Sequence, residues 1–382
     1  MKSILKLFIA TLFIHSTFGS EVDYVLMPLD HNDVNSVKIK GEYLFKDGFD
    51  SRKKTVVVMS DGLDRCFTNH FQQLGFSDKY NVVYFLGRSG SDEISRLVNY
   101  NGQTNWSNAY KWLNLDQQAK DLELFRNEVL GGENFHLFSY PSASGIALHY
   151  LSVFPNQVSK VLAINPLLFD LQKNMNFRPF EIAISEFSQD FINEKWMKFA
   201  WYMGREKPLY EGKIERNDIL SKIYQFNLWG FLIPDVPEVK SLSLAVKVRL
   251  FEHSRNYLYD FDESKPTPKV VKWMKKSSKE VWDAFDRQPS RFIGMHYDLL
   301  TRFTGEMMIV CSSQNLIINP KTFEGLAEFI QNPTMLYIND AHALQKFYGQ
   351  AEWPLVIQSF FDNDVQGKIQ AFKNLQTKGL IH

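Results

Sequence analysis

The chain of 382 residues is long enough for one large domain carrying an insertion, or for two domains. Its 45% apolar and 23% charged content is that of a globular protein and excludes a disordered one. Lys+Arg and Asp+Glu both number 43, so no charge excess points to nucleic acid or to an anionic membrane surface as a partner.

Residues 1–19 read as a segment apart from the fold. Lys2 and Lys6 flank a short apolar run over 4–14, followed by small and polar residues, with Thr17 and Gly19 suited to a cut after Gly19. That is the layout of a secretory signal, too short to span a bilayer, and it predicts an exported protein, periplasmic or extracellular, with no integral membrane segment in the mature chain. Only Cys66 and Cys311 are present, and the sequence leaves open whether they pair. Cys311 ends an apolar run and reads as a buried thiol.

The stretch 37–45 alternates and predicts an antiparallel hairpin at a sheet edge. Six short runs, 55–59, 81–86, 135–139, 160–164, 307–311 and 334–338, are nearly continuous in β-branched and aromatic residues. Such runs predict parallel strands covered on both faces. Between them, 115–129 sets Ala119, Leu122, Phe125 and Val129 on one helical face, and a second helix is expected over 146–154. Strands alternating with helices predict an α/β class fold with a mostly parallel sheet. The interval 170–305 breaks the rhythm with scattered tryptophans and prolines and predicts a mostly helical cap insertion. The core is then 20–169 together with 306–382.

The segment from Phe135 to Leu148 joins a buried strand to a helix through a tight turn of small residues. This is the setting of a nucleophile elbow, G-x-S-x-G between strand and helix. On these residues the chain resembles an α/β-hydrolase, and more closely the proline iminopeptidase branch. Asp121-Leu122-Glu123-Leu124-Phe125-Arg126 resembles that branch's D-[IL]-E-x-L-R helix, and Ser139 to Leu148 overlays its G-G-S-W-G-S-T-L-A-L without a gap. Phe154-Pro155-Asn156-Gln157-Val158 is similar to its H-P-x-x-V. Toward the end, Val310 to Pro320 resembles the strand and turn carrying the acid, and Tyr337 to His342 the loop carrying the histidine.

Carried over by this resemblance, the nucleophile slot is Pro141, the acid slot Asn315 and the base slot His342. Only His342 is intact. Proline has neither hydroxyl nor backbone N–H, and its φ is locked near −65°, whereas the elbow holds its nucleophile at positive φ. Asn315 is neutral and cannot stabilise an imidazolium as a carboxylate does. Where the branch carries its H-G-G-P oxyanion stretch, this chain has Met59-Ser60-Asp61-Gly62, and Asp61 brings negative charge toward a developing anion. Ser60, Asp61 and Ser142 are the residues expected around the oxyanion position and pocket.

The leading expectation is therefore an exported α/β-hydrolase-fold protein without the serine machinery, binding a small-molecule or peptide ligand or a protein partner. The alternative is a divergent serine hydrolase of peptidase or esterase type, with Ser142 as nucleophile in a turn slipped by one and His342 as base. Asp340 then replaces the missing acid, provided its loop folds back. Chemistry assisted by His342 alone ranks last. No cofactor and no metal is expected: neither H-E-x-x-H nor C-x-x-C occurs, and no G-K-[ST] follows Gly87-Arg88-Ser89-Gly90.

Overall fold

The computed structural model describes residues 22–59, 78–168, 171, 242–258, 269–285, 295–313, 315, 318, 320–340 and 344–381. The expectations for the leader 1–19, Ser60, Asp61, Cys66 and His342 lie outside them. Eight strands form one sheet: β1 (Asp23–Pro28), β2 (Lys38–Phe45), β3 (Lys54–Met59), β4 (Tyr80–Gly87), β5 (Phe135–Ser139), β6 (Val158–Ile164), β7 (Glu306–Ser312) and β8 (Asn332–Ile338). Their spatial order is β1-β2-β4-β3-β5-β6-β7-β8. From β4 onward all neighbours pair parallel, and β2 is antiparallel to both β1 and β4. This is the α/β-hydrolase arrangement of strands.

All six runs expected to be parallel strands are present in the sheet. The stretch 37–45 is antiparallel, but its partner β1 takes the edge and displaces it one place inward.

Burial on both faces explains the unbroken apolar runs. Along β3, Val57 and Met59 join a core on one face, while Val56 and Val58 join a core on the other. The first face is covered by α1 (Asp92–Val98), α2 (Trp106–Leu113), α3 (Leu115–Glu128), α4 (Ser144–Val153), α5 (Leu244–Leu258), α6 (Lys269–Ser277), α7 (Lys279–Phe285) and α8 (Lys321–Ala327). The second is covered by α9 (Gln345–Tyr348), α10 (Glu352–Phe361) and α11 (Val365–Thr377). Helices α5 to α7 belong to the interval between β6 and β7. No helix of the described residues is long and apolar enough to cross a membrane.

Side-chain caps fix where the helices begin: Asn105 for α2, Asn114 for α3 and Asp364 for α11 each accept a backbone N–H three residues on.

The motif residues Arg88 and Asp121 meet in the interior, both fully buried. Arg88 reaches Asp121 in bidentate fashion, Nε to Oδ2 at 2.5 Å and Nη2 to Oδ1 at 2.7 Å. Its remaining donors go to the carbonyls of Leu29 (2.8 Å), Trp112 (2.6 Å) and Pro28 (3.0 Å). All five guanidinium N–H groups thus have acceptors, which is the condition for burying this charge. His31 Nε2 lies 2.7 Å from Asp121 Oδ1, so one carboxylate gathers β1's exit, the β4 turn and α3. Glu123 is a second hub, accepting Arg126 through two nitrogens and the Tyr150 hydroxyl at 2.7 Å.

Candidate functional site

The carboxyl ends of the parallel strands form one edge of the sheet, where α/β folds place their ligands. β3 and β5 are neighbours whose onward connections run in opposite directions, with Met59 opposite Ser139. The turn that follows Ser139 therefore sits at the switch point.

Tyr140 continues the ladder, its N–H donating to the Met59 carbonyl at 3.1 Å. Its ring is fully buried, edge-on to Phe138 with centroids 5.0 Å apart, within the core under α9 and α10. Tyr140 is a core residue at the position where the family pattern has a small one.

Residues 141–143 turn directly into α4. Ala143 has φ −73° and ψ −12°, and none of residues 139–144 adopts positive φ. The strained elbow geometry is replaced by an ordinary right-handed entry into the helix. The Pro141 carbonyl accepts the Ser144 hydroxyl and the Leu167 N–H at 3.2 Å, and Ser144 Oγ also accepts from Leu167 N at 3.2 Å. Ser144 thus staples the turn to the loop after β6. Ser142, the nucleophile of the alternative reading, is fully buried.

That loop is tied across to β7 as well. Asn165 has φ +40°, a region asparagine tolerates. Its N–H donates to Val310 O at 2.8 Å, and its Oδ1 accepts the Ser312 N–H at 2.7 Å. Beyond β7, Asn315 is buried, and its Oδ1 accepts the Ile318 N–H at 3.0 Å. The amide in the acid slot is thus engaged in closing its own turn. Asp340 is buried at the end of β8. The structure brings Ser142 and the Pro141 slot to the strand-end edge, and Asn315 and Asp340 follow β7 and β8 on the same edge. Cys311 is a free, fully buried thiol whose pKa burial pushes well above the usual range, which leaves it unreactive.

Beside the turn lies a recess that the sequence reading did not identify. Its walls are Leu115, Gly145, Leu148, Leu167 and Leu168, and its polar side comes from α5. Arg249, Glu252, His253 and Asn256 fall at i, i+3, i+4 and i+7, a single helical stripe. Arg249 pairs with Glu252, both side chains nearly inaccessible, and Glu252 Oε1 accepts the Leu115 N–H at 2.8 Å. A carboxylate there complements the positive end of the α3 dipole. His253 is held at a pKa of about 3 by complete burial and by the neighbouring Arg249. The free space is about 10 Å³, room for about one water molecule. In sequence the stripe gives no clear signal, because α5 also carries Lys247, Ser254 and Arg255. Among the described residues no group of histidine, cysteine, aspartate or glutamate is arranged to hold a metal ion.

No family model matches the sequence, and no curated protein is significantly similar to it. Solved structures are similar at low identity. A bacterial membrane phospholipase A described as a virulence factor is 14% identical over 95% of this chain and 99% of its own, with a TM-score of 0.47. The 2-hydroxy-6-oxo-6-phenylhexa-2,4-dienoate hydrolase of Rhodococcus sp. strain RHA1 is 14% identical over 89% and 99%, with a TM-score of 0.46. An esterase of Pyrococcus furiosus is 9% identical over 91% and 93%, with a TM-score of 0.44.

Proposed function

We propose that this chain is an exported α/β-hydrolase-fold protein, nearest the proline iminopeptidase branch, that acts by binding instead of by serine-nucleophile hydrolysis. The observation that carries the reading is the turn at Pro141. The slot residue has no hydroxyl, the backbone runs straight into α4 without positive φ, and the adjacent hydroxyl of Ser142 is buried. Asn315 supports the same reading, since its side-chain oxygen closes a turn and its neutral amide replaces a carboxylate.

The mature protein, treated with a fluorophosphonate probe and weighed intact, is expected to carry no adduct, as is its Ser142→Ala variant. A stoichiometric adduct on the wild type that disappears in Ser142→Ala overturns the binding reading in favour of a serine hydrolase with Ser142 as nucleophile and His342 as base.

A further inference from the structure

His136 is misplaced by the logic of its strand. His136, Phe138 and Tyr140 point to the same face of β5, and the latter two belong to the apolar core under α9 and α10. The His136 ring is 2% exposed, stacked on Phe361 of α10 at 5.3 Å and 19°, and edge-on to Tyr80 at 5.7 Å. Its Nδ1 is buried with no hydrogen-bond partner. Directly across the ladder, in register, stands Lys160 of β6, itself only 5% exposed.

Lys160 does the docking. Its Nζ donates to the Phe360 carbonyl at 2.6 Å and to the Asn363 side chain, closing the C-terminus of α10 where a cation is favoured. Asn363 has φ +59°, and Asp364 immediately caps α11, so this one ammonium holds the joint between the two helices.

We propose that His136 and Lys160 form an acid-released clasp that holds α10 and α11 against the sheet. While the imidazole is neutral, the Lys160 ammonium has an uncharged neighbour directly across the ladder. A proton on His136 places a second cation beside it, with no acceptor for Nδ1–H. The charged groups facing this pair are Lys54 of β3, Glu306 of β7 at 3.7 Å from Lys160, Lys368 of α11, and Asp362, which is held by Lys79 and the Tyr80 hydroxyl. Lys54 and Lys160 oppose the proton on His136, and Asp362 opposes them more weakly.

Burial first, and then these two lysines, hold the His136 pKa at about 4, below the 6.5 of the free side chain. A depressed histidine pKa gives stability that is complete above pH 6.5 and is lost as the pH falls toward 4. Release thus spans the range from 6.5 down to 4.

The test is amide hydrogen exchange on the full chain, corrected for intrinsic rates, comparing pH 7 with pH 5. Protection of α10 and α11 is expected to fall about twentyfold beyond any change in the helices of the other face. In His136→Gln the selective fall is expected to vanish. His136→Phe, which extends the Phe138 stripe, serves if the glutamine variant does not fold. A wild type whose α10 and α11 hold their protection at pH 5, or a folded variant that loses it as the wild type does, overturns the clasp.

Discussion

Asp121→Asn should destabilise the protein by about 3–5 kcal/mol, because it leaves the Arg88 guanidinium as a buried charge without a counter-ion. The substitution is isosteric, so the loss reads charge and acceptor geometry more than volume. Arg88 is fully buried, and among the described residues Asp121 is the one carboxylate it bonds; its other acceptors are the three carbonyls of Pro28, Leu29 and Trp112. Arg88→Lys, which keeps a cation beside Asp121, should also destabilise, since one ammonium carries three donors and no fork. Urea unfolding of the three proteins, compared at unchanged m, measures the difference; a cost for Asp121→Asn below about 1 kcal/mol contradicts the account.

The second large effect is expected at the recess. Glu252→Ala removes the partner of Arg249 and the acceptor of the Leu115 N–H together, at a cost of about 3–5 kcal/mol. Here the double variant Arg249→Met, Glu252→Leu should recover the part of that loss that comes from the unpaired Arg249 charge, while the Leu115 N–H still lacks its acceptor. The same experiment at Arg88 and Asp121 should recover much less, since removing that guanidinium leaves three carbonyls without it, that of Leu29 buried. Equal recovery at the two sites would show that the carbonyl acceptors contribute little.

The sheet was legible because a parallel strand covered on both faces is apolar at most positions, and six runs come close to that, with His136 and Lys160 among the exceptions. β1 was not, since only Val25 and Met27 face inward, while Tyr24 and Leu26 on its other face are 49% and 61% exposed. An edge strand with two inward residues offers too short a pattern to separate from a loop.

At the candidate site, the consequence of Pro141 was readable because proline fixes its own φ whatever surrounds it. The core position of Tyr140 was not, because it depends on α9 and α10, far downstream in the chain; nor was the burial of Ser142. Nor was the turn bond from Asn315 to Ile318, since an amide side chain can serve the backbone or an imidazole equally well. The stripe from Arg249 to Asn256 looks in sequence like a solvated helix face, and only packing against α3 and α4 turns it inward.

The Arg88 cluster has a consequence for how the molecule comes apart. β1 is an edge strand, joined to the sheet by β2 alone, and edge strands ordinarily fray first. Yet the carbonyls of Pro28 and Leu29, at its exit, are acceptors for an interior cation. Peeling β1 away therefore uncovers a desolvated guanidinium as well as a ladder of backbone bonds. The amides of Val25 and Met27 should accordingly exchange with the whole protein and not ahead of it, as though the margin of the sheet were its middle.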